Sequence, residues 1–113
     1  MCTAAEWDHL IKDLVREYKN LYGASLREVI LYGSYARGDS DEESDVDIAA
    51  IVDRPRGELM GTFAKLGKVA SELSLSYGLT VSPTAIPLDD YTKYQAALPY
   101  YRNIQKEGVK LFA

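Results

Sequence analysis

The sequence predicts one α/β (α+β) domain in which a small β-sheet of three to four strands is covered by helices. Apolar residues alternate along the chain between helical and strand spacing, in the order helix, strand, helix, strand, helix, strand, helices. The 113 residues are enough for one core without disulfides or metal. Neither a repeat nor a linker divides the chain. We therefore treat residues 1–113 as a single domain.

The first half of the chain predicts a helix and two strands around a glycine turn. Apolar residues spaced three and four apart predict a helix over 4–22, which Gly23 ends. The β-branched and aromatic run over 27–33 predicts a buried strand that closes at a tight turn. One helical turn is expected over 34–37. A second strand follows over 46–52.

The second half predicts a helix, a third strand and a helical C-terminal part. A helix is expected over 58–77, although Gly61 and Gly67 weaken it by up to about 1 kcal/mol each. The third strand covers 79–86, and Pro83 favours an edge or irregular position because it lacks an N–H for pairing. The remaining elements are helices over 88–97 and 99–107 and a short strand over 109–112.

Charge and cysteine content exclude several classes of protein. The chain has 13 Lys and Arg against 17 Asp and Glu, a net charge of −4, which disfavours direct nucleic-acid binding through phosphate neutralisation. No apolar run approaches the roughly 20 residues that a membrane helix needs. Cys2 is the only cysteine, so neither an internal disulfide nor a thiolate zinc site is expected. These features are typical of a cytoplasmic protein.

Residues 33–37 form a candidate phosphate-binding turn. Gly33 ends a strand where glycine lets the backbone approach a bound group, and the Ser34 hydroxyl adds a donor. Arg37 lies three residues after Ser34, so both can face one phosphate on a helical turn. An ordinary strand ending would also use a Gly-Ser turn, and Arg37 could instead pair with the acidic stretch that follows.

Asp45 and Asp47 are candidate catalytic and metal-binding residues. Strand alternation places both carboxylates on one face, where they repel each other unless a divalent cation lies between them. Burying an unpaired carboxylate in a strand costs roughly several kcal/mol of folding free energy. A functional role is therefore favoured for these two residues. Together with the phosphate turn they predict a nucleoside triphosphate with Mg²⁺. The acidic residues over 39–43 are interpreted as a solvated loop.

Two other phosphate or metal motifs do not fit this segment. The glycine spacing over 33–40 is similar to a P-loop, but Asp39 stands where the lysine should be. Alternating acids from Asp39 onward imitate a calcium loop. Ser44 and Ala50 replace its turn glycine and its final glutamate.

The pattern Gly33-Ser34, ten residues, then Asp45-x-Asp47 resembles the signature of minimal nucleotidyltransferases (MNT) of the DNA polymerase β-like superfamily. The resemblance is strongest over 29–53. It implies a mixed sheet with flanking helices, triphosphate binding by Gly33 and Ser34, and Mg²⁺ binding by Asp45 and Asp47. The implied reaction transfers AMP from ATP to a hydroxyl. Minimal members often act as antitoxins that adenylylate a tyrosine of a helical HEPN toxin, so such a partner is expected.

One position departs from that family pattern. Active members usually carry a third carboxylate on the next strand, and Ser82 occupies the matching place. General-base assistance is typically worth 10²–10⁴-fold in rate, so a protein that neutralises its partner by contact alone is an alternative. Asp89 or Asp90 could supply the acid, although both fit a helix start. A transferase for a small hydroxylated molecule is less favoured because such enzymes usually have an additional substrate domain.

The aromatic content leaves a further choice open. Nine tyrosines are many for this length, and four of them cluster near the C-terminus: Tyr91, Tyr94, Tyr100 and Tyr101. Core packing explains them most simply. A partner-binding surface would use the same residues.

Overall fold

A computed structural model describes residues 3–41 and 43–113. Two residues discussed above lie outside this description: Cys2, on which the expectation of no disulfide rests, and Glu42 of the acidic loop. The strands described are β1 (Leu26–Tyr32), β2 (Val46–Val52), β3 (Val81–Pro87) and β4 (Val109–Phe112). The helices described are α1 (Ala4–Tyr22), α2 (Ser34–Arg37), α3 (Arg56–Met60), α4 (Phe63–Tyr77), α5 (Leu88–Tyr94) and α6 (Pro99–Glu107).

Within the described residues the strands form one mixed sheet in the order β3-β2-β1-β4. Strand β1 is antiparallel to β2 and β4, whereas β2 and β3 are parallel. Strand β3 therefore lies at an edge, which confirms the position expected from Pro83. The predicted fold class, a small mixed sheet flanked by helices, is confirmed.

Helices cover both faces of the sheet. The start of α1 is capped by Thr3, whose hydroxyl accepts the N–H of Glu6 while the Glu6 carboxylate accepts the N–H of Thr3. One face packs against α1 and α4, and the buried α1 residues are Leu10, Leu14, Tyr18 and Tyr22. The opposite face packs against α5 and α6 through Ile86, Tyr91 and Ile104. Burial on both faces explains why the middle of β2 is apolar at every position.

The prediction of one continuous helix over 58–77 is wrong. The chain forms α3 and α4 instead, separated by Gly61 and Thr62. The Thr62 hydroxyl donates to the carbonyl of Leu59 at 2.7 Å and lies 2.7 Å from the hydroxyl of Tyr22. Thr62 therefore interrupts the helix because α1 engages it, and the neighbouring glycine does little to oppose the break. Boundaries also differ elsewhere: β3 begins at Val81 instead of 79, and α5 ends at Tyr94 instead of 97.

The C-terminal tyrosines are divided between core and surface. Tyr91 is buried, as core packing requires, whereas Tyr94 and Tyr100 are exposed. Tyr101 is intermediate. None of the helices formed by the described residues is long and apolar enough to span a membrane.

Candidate active site

The candidate site lies at the end of the sheet where β1 finishes and β2 and β3 begin. Asp47 pairs with Tyr32 across the antiparallel ladder and with Ser82 across the parallel one. Asp45 lies immediately before β2, and its Oδ2 is 3.5 Å from the Ser82 hydroxyl. The fold therefore brings Asp45, Asp47 and Ser82 together, as the sequence pattern predicts.

Gly33 makes the turn beside these carboxylates possible. Its φ of 75° is a conformation that side chains rarely adopt. A Cβ at this position would overlap Oδ2 of Asp47. The glycine thus serves both the turn and the close approach of the backbone to the carboxylate, and Ser34 follows it as the first residue of α2.

Asp47 is partly buried while Asp45 is exposed. Burial, followed by the negative charge of Asp45, raises the pKa of Asp47, and Arg37 opposes the shift. Two adjacent carboxylates of this kind fit a divalent cation such as Mg²⁺, which is commonly held by one or two carboxylates plus substrate phosphates.

The raised pKa gives a stability prediction for the metal-free chain. The folded state holds the Asp47 proton more tightly than the unfolded state. Protonation of Asp47 therefore contributes to the stability of the fold fully at low pH, and this contribution is lost as pH rises through the pKa of the folded state. We expect Asp47→Asn to unfold at a higher temperature than wild type at pH 7 in EDTA, and the difference to shrink as pH falls towards 4. Thermal unfolding across this range measures it. Equal midpoints at every pH would contradict the prediction.

Arg37 is held by two carboxylates. Its guanidinium lies 3.2 Å from Asp39 and 3.1 Å from Glu107, which belongs to the end of α6. Both open alternatives for Arg37 therefore remain: it pairs with the acidic loop, and it lies one helical turn from Ser34. The described acids of that loop are exposed (Asp39, Asp41 and Glu43), as predicted.

Neutralising Glu107 gives a second prediction. Exposed ion pairs of this type are worth about 0.2–1 kcal/mol, so Glu107→Gln releases only a small part of the restraint on Arg37. We expect roughly two- to five-fold tighter ATP binding, measured calorimetrically in Mg²⁺. The control is Glu58→Gln, which removes an exposed glutamate from α3. Equal affinities for both variants would show that Arg37 does not reach the phosphates.

The two acids considered as substitutes for the missing carboxylate at Ser82 have other surroundings. Asp90 forms an ion pair with Arg56, and Asp89 is exposed on α5. No cluster of three or more His, Cys, Asp or Glu side chains that could hold a metal occurs among residues 3–41 and 43–113. Among the described residues, the site brings together the carboxylates of Asp45 and Asp47 and the hydroxyl of Ser82.

Two aromatic contacts at the site were missed by sequence reasoning. The Tyr32 hydroxyl lies 2.9 Å from that of Tyr100 on α6, and burial followed by this hydrogen bond strongly raises the pKa of Tyr32. On the other side, Trp7 of α1 stacks on Tyr35 of α2 with ring centroids 5.1 Å apart. The Trp7 contact supports the turn that carries Ser34. Only the concentration of aromatic residues in the sequence hinted at either pair.

Comparison with known proteins places this geometry in a family. The model of the nucleotidyltransferase domain family matches residues 11–111. The chain belongs to this family. The resemblance inferred from the glycine, serine and aspartate pattern is thereby confirmed.

The relatives of this nucleotidyltransferase domain include two proposed protein adenylyltransferases of Methanocaldococcus jannaschii. MJ0604 is 30% identical over 102 residues, which cover 90% of this chain and 94% of the relative. MJ0141 is 40% identical over 74 residues, covering 66% of this chain and 73% of the relative.

Solved structures confirm the fold. A toxin–antitoxin crystal structure with AMP-PNP matches with a TM-score of 0.56 at 15% identity, covering 91% of this chain and 73% of that chain. A complex of tri-AMPylated Shewanella oneidensis HEPN toxin with MNT antitoxin matches with a TM-score of 0.52 at 14% identity, covering 94% and 71%. At these identities the similarity establishes the nucleotidyltransferase fold alone.

Proposed function

We propose that this nucleotidyltransferase domain transfers AMP from ATP, with Mg²⁺, to a tyrosine hydroxyl of a HEPN-type toxin and so acts as its antitoxin in the cytoplasm. The observation that carries the proposal is the placement of Asp47 against the backbone of Gly33, with the carboxylate of Asp45 beside it. The related proteins named for protein adenylylation support the choice of a protein acceptor. In this proposal residues 1–113 act as one domain.

The chain's own residues have distinct tasks in this reaction. Asp45 and Asp47 would hold Mg²⁺, which when bound neutralises phosphate charge and orients the triphosphate. Ser34 donates a hydrogen bond to the phosphates, the backbone at Gly33 permits their close approach, and Arg37 neutralises part of their charge.

The chemical step exchanges one bond to phosphorus for another. The acceptor oxygen attacks the α-phosphorus, the bond from that phosphorus to the oxygen bridging to the β-phosphate breaks, and pyrophosphate leaves. The acceptor loses its hydroxyl proton to solvent, because Ser82 is not a base at neutral pH. We therefore expect the reaction to be slower than in relatives with a third carboxylate.

The first test of this proposal is nucleotide binding. ATP at 100 times its Kd adds about 2.7 kcal/mol of stability, which raises the unfolding midpoint of a domain this size by on the order of 10 °C. We expect this rise with Mg²⁺ in wild type and its loss in Asp45→Asn. Labelled ATP then identifies the acceptor. No rise in wild type would overturn an intrinsic nucleotide site.

Neutralisation of the partner by contact alone is the second candidate, and Ser82 is the observation that favours it. Under this alternative Asp47→Asn still binds and still neutralises the partner. A variant that binds its partner but fails to neutralise it would exclude contact alone.

A further inference from the structure

A groove of about 310 Å³ lies along the edge of the sheet that β3 forms. Its floor is formed by residues 84–87 of β3, and its walls come from α3, the start of α4 and α6. The wall residues include Met60, Phe63, Tyr100 and Tyr101. A second hollow of about 280 Å³ shares Phe63 and Thr84 with it and extends it along β3.

Three large apolar side chains in the walls of this groove are exposed. Met60 is 59% exposed, Phe63 49% and Tyr100 47%. Clustered aromatic and methionine side chains of this kind are typical of a protein-binding surface. The charged residue lining the groove is Arg56, which Asp90 already pairs. The groove therefore favours an uncharged, apolar occupant.

Two residues that line the groove, Thr84 and Tyr100, lie next to residues of the candidate site. Ser82 and Thr84 lie on the same face of β3, because side chains alternate along a strand. Ser82 approaches Asp45, whereas Thr84 lines the groove. At the other wall, Tyr100 bonds to Tyr32, the cross-strand neighbour of Asp47.

The geometry of phosphoryl transfer indicates whether the groove lies on the side of the leaving pyrophosphate or of the incoming hydroxyl. The attacking and leaving oxygens lie in line on opposite sides of the phosphorus. In the proposed function the leaving pyrophosphate is held at Gly33 and Ser34, which follow β1. Strand β3 lies on the opposite side of β2. The incoming hydroxyl therefore approaches from the side of the groove.

We propose that this groove binds the acceptor segment of the partner protein, and that it prefers a tyrosine flanked by uncharged apolar residues. The inference rests on the proposed function and names the acceptor side of that same site. We expect the side chains of the groove to recognise this segment, because the edge strand β3 offers few N–H groups with which the segment could pair as an added strand. Pro83 and Pro87 have no N–H, and the N–H of Val81 already donates to Ser74.

The test uses two soluble tyrosine peptides of equal length and net charge. In one peptide leucine and alanine flank the tyrosine; in the other serine and asparagine do. Transfer of labelled AMP should show a KM about tenfold lower for the apolar peptide, and Phe63→Ser should remove the difference. The matched control is Leu75→Ser, which removes an 87% exposed side chain from the same helix outside the groove. The Kd for ATP should be unchanged in both variants.

A binding measurement separates this inference from the proposed function. Amide chemical shifts of the Asp47→Asn protein are followed while the apolar peptide is added, so no transfer is needed. Shifts at Phe63, Thr84 and Tyr100 without transfer in wild type would leave the docking site standing and overturn the activity. Normal transfer with no shifts there, or with a preference that Phe63→Ser leaves intact, would overturn the docking site. A raised Kd for ATP in Phe63→Ser would assign the groove to the nucleotide base instead.

Discussion

Replacing Asp47 by asparagine is expected to abolish AMP transfer while the fold stays intact. The side chain keeps its shape beside Gly33 and its place between Tyr32 and Ser82, but loses the charge that would hold a divalent cation. The remaining carboxylate, Asp45, is exposed and cannot replace a two-carboxylate site. We expect at least ~100-fold loss of transfer, which quantification of labelled AMP on the acceptor measures.

The matched control for this variant lies at the opposite end of the same strand. Asp53 follows β2 and forms an exposed ion pair with Arg27 at 3.1 Å. Asp53→Asn removes the same charge from the protein but lies away from Gly33, so transfer should stay within about twofold of wild type. Loss of activity in both variants would indicate a general effect of charge or stability. Retained transfer in Asp47→Asn would count decisively against the metal role.

The strands were predictable because each carries its own local signal. The apolar runs of β1 and β2 are bounded by glycine and acidic residues, and burial on both faces reinforces the pattern. The spacing of Gly33, Asp45 and Asp47 follows from the same two strands. The antiparallel pairing of β1 and β2 brings these three residues together at one end of the sheet.

The features that were missed depend on contacts between distant parts of the chain. The break before α4 involves Tyr22 and Thr62, which are 40 positions apart. The restraint on Arg37 comes from Glu107, 70 positions away. No local propensity encodes such a partner, because only the folded sheet and its helices bring these side chains together. The sequence left open a partner-binding surface at Tyr100 and Tyr101, but it did not indicate that Met60 and Phe63 lie in the same groove, for the same reason.

The second large effect is expected from Ser82→Asp, which introduces the third carboxylate that the family pattern contains. Position 82 pairs with Asp47 in the parallel ladder, and its hydroxyl is 3.5 Å from Asp45. A carboxylate there would lie on the acceptor side of the site and could accept the hydroxyl proton. Where proton removal limits the reaction, we expect AMP transfer to rise by about 10²–10⁴-fold at saturating Mg²⁺ and ATP.

The same variant should lose stability when Mg²⁺ is removed. Three adjacent carboxylates repel one another, so its unfolding midpoint in EDTA should fall below that of wild type and recover in Mg²⁺. Ser82→Asn is the control, since it adds similar bulk without charge or basicity. Faster transfer in the aspartate variant alone would show that this chain keeps the nucleotide and acceptor sites but lacks a base. Equal rates in wild type and both variants would show that proton removal does not limit transfer, and no transfer in any of them would favour neutralisation by contact.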